Sequence, residues 1–148
     1  IMRNPKKKRT ERQKQLRAEK LEKKRLEKEA DRVWHEAVIR KWGNICFFEN
    51  NSKKAKEHKK YTKYGHHYFA KGRYPILRFE VFNGIPICWA CHYKAEKFDR
   101  TMLADIIVAK GEAWYNRLLK MSQDRKSSFE TADYYKKIIE KLQKYLNA

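Results

Sequence analysis

The sequence predicts a small α+β fold in which two short strands and a helix are braced by several further helices. Aromatic or β-branched runs at 64–69 and 85–88 indicate the strands, and residues 89–98 have a helical composition. Gly72 and Pro75 interrupt the segment between the two strands. Elsewhere, apolar residues recur at helical spacing. The expected order is therefore strand, long loop, strand and helix, with helices on either side.

Residues 1–29 are predicted to form a basic N-terminal arm. Apolar side chains are rare there, and Leu16, Leu21 and Leu26 recur every five residues, which matches neither the helical nor the coiled-coil period. The abundant glutamate, lysine and arginine nonetheless favour helix. We expect a solvated tail, helical or disordered, which could also lie along DNA phosphates.

Residues 30–121 are expected to form the folded domain, which opens with an amphipathic helix. One apolar face of that helix comprises Ala30, Val33, Trp34, Ala37, Val38 and Trp42. Gly43 is predicted to end it, and His35, on its polar side, is expected at the surface. The apolar run at 45–48 favours a short buried strand.

Three further helices are expected after the central unit. Apolar residues at 102–108 and 114–119 predict the first two, and Gly111 is expected to separate them. Ser127 and Glu130 have capping-box spacing for a last helix. Residues 122–148 are therefore predicted to pack as a C-terminal helix on the domain, and 148 residues suit one domain with a tail.

The charge of the chain indicates a polyanionic partner. Thirty-seven lysines and arginines against 18 acidic residues give a formal net charge of +19. Nucleic acid is the favoured partner, since neutralised phosphates release counterions; an anionic membrane surface is the competing one. No apolar run approaches the length of a spanning helix, and no apolar signal segment follows the basic start, so we expect a cytoplasmic protein without a membrane partner. Three cysteines without a secretion signal favour thiols or metal ligands over disulfides.

Histidines in the central stretch suggest a metal-dependent site. His66 and His67 are adjacent, Asn83 follows sixteen residues after the second, and His92 nine residues later. Neighbouring residues of a strand face opposite ways, so one histidine can bind a metal while the other acts as a general base. His92 could reach the same metal as His66, and the amide of Asn83 can orient a catalytic imidazole.

Phosphodiester hydrolysis would use these groups together with positive side chains. A base activates water, a cation neutralises the developing charge, and basic residues position the phosphates. The basic residues in reach of the predicted site are Lys71, Arg73, Arg78 and Lys94. Trp89 is expected in the core rather than as a platform for bases.

The motif GHH, followed by Asn83 and by CWACHYK at 88–94, resembles the HNH or ββα-metal endonucleases, also called His-Me finger nucleases. It is similar to the colicin-type bacterial DNases in its tandem histidines and its gaps. The resemblance implies that His66 and His92 bind the metal, that His67 is the base and that Asn83 orients it. Where colicin DNases have a further histidine, this chain has Glu96, a weaker candidate ligand.

A narrower resemblance covers 33–121, which looks like phage HNH proteins of the NinG or Rap recombination group. It implies a role in phage DNA recombination and the cutting of branched DNA. Such proteins usually carry two Cys-x-x-Cys pairs for a structural zinc, whereas here Cys46 is followed three residues later by Glu49. Cys46, Cys88 and Cys91 could bind zinc with Glu49 or His58 as fourth ligand, or the site could be empty and packed by phenylalanines.

The prediction is therefore a metal-dependent DNA endonuclease that uses one divalent ion, namely magnesium, manganese, nickel or zinc. Its DNA partner could be duplex or branched, and a homodimer would suit a junction-cutting enzyme. Two alternatives stay open. One is a non-catalytic nucleic-acid-binding protein built on the same scaffold. The other is a zinc-ribbon-like interaction protein, which would leave the histidine and asparagine spacing as coincidence.

Overall fold

The computed structural model describes residues 5–51, 58–97, 101–124 and 130–148, with the side chains of 50 and 51 left out. Helices surround a two-stranded antiparallel sheet, so the α+β class is confirmed. Among the described residues, no helix is long and apolar enough to cross a membrane.

The first helix, α1, runs without a break from Glu11 to Trp42. Thr10 caps it through a capping box with Gln13, and Gly43, at a φ of 89°, ends it. The predicted boundary between residues 29 and 30 therefore falls inside one continuous helix. Exposed residues dominate as far as Arg25, and burial begins at Leu26. The buried face of α1 comprises Leu26, Ala30, Val33, Trp34, Ala37 and Val38.

The sheet is short and packs directly on α1. Strand β1 (Gly65–His67) pairs with β2 (Gly84–Pro86), so that His66 lies opposite Ile85 and His67 opposite Gly84. A Cβ at Gly84 would lie only 2.2 Å from a methyl carbon of Val38. Glycine is required at this position because the strand backbone approaches the helix more closely than a side chain allows.

The predicted strand at 45–48 is wrong. Ile45 forms an isolated antiparallel bridge with Tyr61, and Phe48–Asn51 forms a single helical turn, α2. Phe48 is buried while Ile45 is 41 % exposed, so the apolar run does not lie along one buried strand. Between β1 and β2, two 3-10 turns occupy Pro75–Leu77 and Val81–Asn83.

The remaining helices agree with the predictions to within a few residues. They are α3 (Trp89–Lys97), α4 (Thr101–Lys110), α5 (Glu112–Ser122) and α6 (Ala132–Leu146). Gly111, at a φ of 94°, separates α4 from α5 as expected. The predicted capping residue Ser127 lies outside the described residues, and Thr131 caps α6 by accepting the Tyr134 N–H. Helix α6 packs against the buried face of α1.

A second hydrophobic cluster joins α3 to α4 and to the Cys46 segment. Its buried members are Cys46, Phe48, Ile85, Ile87, Cys88, Cys91, Ala95, Met102 and Ile106. Ile85 of β2 belongs to this second cluster, while β1 and β2 both pack on α1. The hairpin that carries the two histidines therefore contacts both α1 and this cluster.

Candidate metal centres

The two histidines of β1 contact different helices, as expected because successive side chains of a strand point to opposite faces. The His66 ring lies 4.4 Å from that of His92 on α3. The His67 ring instead stacks on Trp34 of α1, with centroids 3.9 Å apart and ring planes 4° from parallel. The adjacent side chains therefore occupy different chemical environments.

His66, His92 and Glu96 form the first ligand group, which we call the open cluster. One potential ligand atom from each lies within 4.8 Å of the others. On α3, His92 and Glu96 are one helical turn apart, and Nε2 of His92 lies 2.9 Å from a Glu96 carboxylate oxygen. Their side chains are 42 % and 51 % exposed, so solvent reaches this cluster. Two imidazoles and a carboxylate suit several divalent transition ions, with water completing the shell.

The charges within the open cluster favour metal-binding protonation states. Burial, aided by His92, lowers the pKa of His66 to about 4, so its imidazole is neutral at physiological pH. For Glu96, burial alone would raise the pKa, but the hydrogen bond and charge of His92 outweigh it and lower the pKa. A neutral imidazole and an ionised carboxylate are the forms that bind a cation.

His67 is held in one tautomer by the backbone. Its Nε2 lies 2.8 Å from the carbonyl oxygen of Arg78. A carbonyl only accepts hydrogen bonds, so Nε2 carries the proton and Nδ1 keeps its lone pair. Burial lowers the pKa of His67 to about 4, although the hydrogen bond to Arg78 acts in the opposite direction. The ring is thus neutral, oriented, and able to accept a proton at Nδ1.

The side chain of Asn83 bonds to the backbone, and the orienting role predicted for it at His67 stays a prediction. It is fully buried; its amide oxygen accepts the Phe69 N–H, and its amide nitrogen donates to the carbonyls of Phe69 and Leu77. The amide therefore ties the end of β1 to the turn that precedes Arg78. Any effect of Asn83 on His67 passes through this backbone, because the adjacent Arg78 supplies the carbonyl that accepts the His67 N–H.

Arg78, for which a phosphate contact was predicted, lies in the interior beside α1. Its guanidinium is buried and pairs with Glu27 at 3.0 Å, with Asp31 at 2.8 Å and with Glu130 at 4.0 Å. Burial alone would lower its pKa, but Asp31 and Glu27 raise it, so the charge is permanent. These ion pairs fix Arg78 to α1 and so hold its carbonyl in place for His67.

Cys46, His58, Cys88 and Cys91 form the second ligand group, the thiol cluster. Four ligand atoms, one from each, lie within 4.8 Å of one another. All three cysteines are buried, and the His58 Nδ1 lies 3.3 Å from the Cys91 sulfur. The backbone N–H of Cys88 points at the Cys46 sulfur, and that of Cys91 at the Cys88 sulfur. Three sulfurs and one imidazole nitrogen form a set that could bind a metal such as zinc.

Glu49 takes a different place from the one considered for it in the sequence. It pairs with Nε2 of His58, on the far side of the ring from Cys91. Carboxylates in this outer position commonly orient metal-binding histidines. Of the two residues considered from the sequence, His58 rather than Glu49 is therefore the fourth candidate ligand.

The pKa values of the three thiols shift in different directions. Burial raises the pKa of Cys46, and burial with the neighbouring thiols raises that of Cys91. Burial also acts to raise the pKa of Cys88, but the backbone N–H groups of Cys91 and Lys59 lower it overall. Cys88 is thus the first thiolate to form, and a bound cation would be needed to stabilise all three.

The remaining predicted phosphate contacts stay at or near the surface. Lys71 and Arg73 are exposed, and Lys94 is partly exposed. The charge of Lys71 contributes to the lowered pKa of His67, which places it near that ring. His35, expected at the surface, is instead partly buried, and its Nδ1 accepts the N–H of Gly65 at 3.0 Å. It therefore helps to hold the start of β1.

No protein-family model, curated protein or solved structure was found to match this chain.

Proposed function

We propose that this protein is a metal-dependent endonuclease of the ββα-metal type that hydrolyses DNA phosphodiester bonds. The observation that supports this proposal best is that the two adjacent histidines of β1 lie in different environments. His66 joins His92 and Glu96 in the open cluster, while its neighbour His67 has a fixed ring whose Nδ1 carries a lone pair. In this proposal β1, β2 and α3 are the two strands and the helix of the ββα-metal unit.

A divalent cation on His66, His92 and Glu96 would neutralise charge developing on the phosphate and on the leaving oxygen. His67 accepts a proton from water at Nδ1, and the water oxygen forms the new bond to phosphorus. The P–O bond to the leaving oxygen then breaks, and that oxygen takes up a proton from solvent. The Arg78 carbonyl supports this step, because the Nε2–H bond that it accepts becomes stronger when the ring is charged.

The basic surface supports a polyanionic substrate. Between positions 5 and 25, eleven lysines and arginines face three glutamates, and almost all of these side chains are exposed. Lys71 adds positive charge near His67, and Arg73 is a further exposed cation. The α1 helix would carry the arm rigidly away from the body, so that it contacts phosphates remote from the bond that is cut. A role in phage DNA processing or recombination is the context that the motif resemblance suggests.

The proposal is tested by cleavage of supercoiled plasmid with magnesium, manganese, nickel or zinc. We expect cutting that EDTA stops and that His67→Ala lowers by about 10²–10⁴-fold, the range of a general base. Val108→Ala is the control, since it truncates a side chain that is 83 % exposed on α4 and should cut like the wild type. Bound metal and circular dichroism should be unchanged in His67→Ala.

A non-catalytic nucleic-acid-binding protein is the second candidate, and the exposed basic arm favours it equally. It predicts that wild type and His67→Ala bind DNA alike and that neither cuts it with any of the four ions. That result, with the open cluster shown to be loaded, would replace the nuclease proposal.

A further inference from the structure

Helix α3 exposes two large aromatic rings to solvent. Trp89 is 71 % exposed and Tyr93 is 46 % exposed, whereas Trp34 is fully buried. The two rings stack with centroids 5.6 Å apart and planes 11° from parallel. Trp89, predicted to lie in the core, therefore lies on the surface. Contiguous exposed aromatic surface of this kind is typical of a binding site.

More aromatic and basic side chains surround this pair. Tyr61 and Tyr64 are each 62 % exposed. Together with Trp89, Lys59 and Lys63 they line a cavity of about 340 Å³. No acidic side chain lies among the described residues that line this cavity. The Lys60 ammonium lies 5.6 Å from the Tyr61 ring, which adds a third positive charge to the surface.

The aromatic pair lies beside the open cluster on the same helix. At about 100° per residue, Tyr93 is rotated about 40° from Trp89, while Glu96 and His92 lie about 20° and 60° away on the other side. The two candidate metal ligands and the two exposed rings therefore form adjacent strips along α3. The buried residues Cys91 and Ala95 occupy the opposite side of the helix.

We infer that this surface binds the unpaired bases of single-stranded nucleic acid. A base stacks on the Trp89–Tyr93 pair, and the phosphates on either side contact Lys59 and Lys63. Stacking on aromatic rings beside a positive groove is how single strands are bound without sequence readout. The surrounding lysines and the absence of acidic lining favour nucleic acid over a protein partner. This inference deepens the proposed function by naming the substrate as DNA with an unpaired strand near the cut, although binding itself needs no cleavage.

The test compares binding of a fluorescent oligothymidine with binding of a duplex of equal length, by anisotropy in buffer without added divalent ions. Trp89→Ala should weaken binding to the single strand about tenfold and change binding to the duplex less than twofold, because stacking requires an accessible base face. Trp89→Phe should retain most of the affinity. Val108→Ala, which truncates a side chain that is 83 % exposed on α4, is the control and should bind like wild type.

A companion measurement uses cleavage of a single-stranded flap and of duplex plasmid. We expect Trp89→Ala to reduce flap cutting selectively. Equal losses on both DNAs, or no loss on either, would overturn the inference, even if the protein proves to be a nuclease. A wild type that self-associates in sedimentation, with Trp89→Ala monomeric and unchanged in DNA binding, would show instead that this face contacts a second copy. Base-dependent binding without cutting would retain the inference and reject the nuclease.

Discussion

The two ligand clusters share helix α3 but differ in almost every physical respect. The thiol cluster has four candidate ligands, three of them buried cysteines, and an outer carboxylate on its histidine. The open cluster has three, and its His92 and Glu96 side chains are about half exposed. Closed four-ligand sites stabilise folds, whereas sites with fewer protein ligands leave positions for water and substrate. By ligand number and exposure, the thiol cluster thus suits a structural role and the open cluster suits the reactive role that we propose for it.

Removing a buried thiol should have the largest effect on stability, and it would test whether the thiol cluster is a structural site. We expect Cys91→Ser to lose stoichiometric zinc and several kcal/mol of unfolding free energy, since structural zinc contributes about 10–16 kcal/mol in small domains. Metal analysis and urea denaturation measure both quantities. His66→Ala is the control, and it should retain the zinc. If His66→Ala loses zinc while Cys91→Ser keeps it, the assignment of the two clusters is reversed.

Removing a ligand of the open cluster should affect reactivity but not stability. We expect His92→Ala to abolish manganese binding at this cluster and to lower cleavage at least a hundredfold, because the cation stabilises charge in the transition state. The side chain is 42 % exposed, so the unfolding free energy should change by less than about 1 kcal/mol. Calorimetric titration and plasmid cleavage are the measurements. A large loss of stability would make the open cluster structural as well.

The outer carboxylate of the thiol cluster offers a finer test. Glu49→Gln should weaken zinc binding by about 10–100-fold without removing a ligand, because the carboxylate orients His58 and raises its basicity. Competition with a chromophoric chelator gives the affinity. Glu96→Gln, at the other cluster, should leave zinc affinity unchanged. If Glu49→Gln abolishes binding outright, Glu49 is itself a ligand and His58 is not.

The pH dependence of stability should be the smallest effect and belongs to β1. The pKa values of His66 and His67 are about 4 in the folded chain but about 6.5 when unfolded. Between these values the unfolded chain binds more protons, so stability is complete above pH 6.5 and is lost as pH falls to about 4. We therefore expect the urea midpoint to fall as the pH is lowered through this range. Urea midpoints measured at several pH values, without added divalent metal, would check this.

His67→Ala should reduce this acid dependence, because one of the two groups that resist protonation is removed. A pH profile identical to that of the wild type would show that another group controls acid unfolding.

Helices were predictable here because their signals are local. Composition predicted α3 and apolar spacing predicted α4 to α6, and Gly43 and Gly111 adopt the positive φ that ends or separates helices. The exposed position of Trp89 also had a local signal. Cys88, Cys91 and Ala95 share one helical face, which turns Trp89 and Tyr93 toward solvent.

Contacts between distant segments could not be read from the sequence. A phosphate contact was predicted for Arg78, but its acidic partners lie about fifty residues earlier. Glu27 belongs to the predicted arm, and Asp31 to the start of the predicted domain. The hydrogen bond that orients His67 ends on a backbone carbonyl, which every residue type has, so the sequence does not indicate it. The pairing of His58 with Cys91 and Glu49 likewise depends on tertiary folding, which no spacing rule gives.

Helix α3 connects the two clusters through its backbone. Cys91 and His92 are consecutive residues of this helix, so a cation held by Cys91 would restrict the backbone that carries His92. If that restriction favoured binding of a second cation at His92, the coupling would be reciprocal. Occupation of the exposed site would then strengthen retention of the buried ion by the same factor.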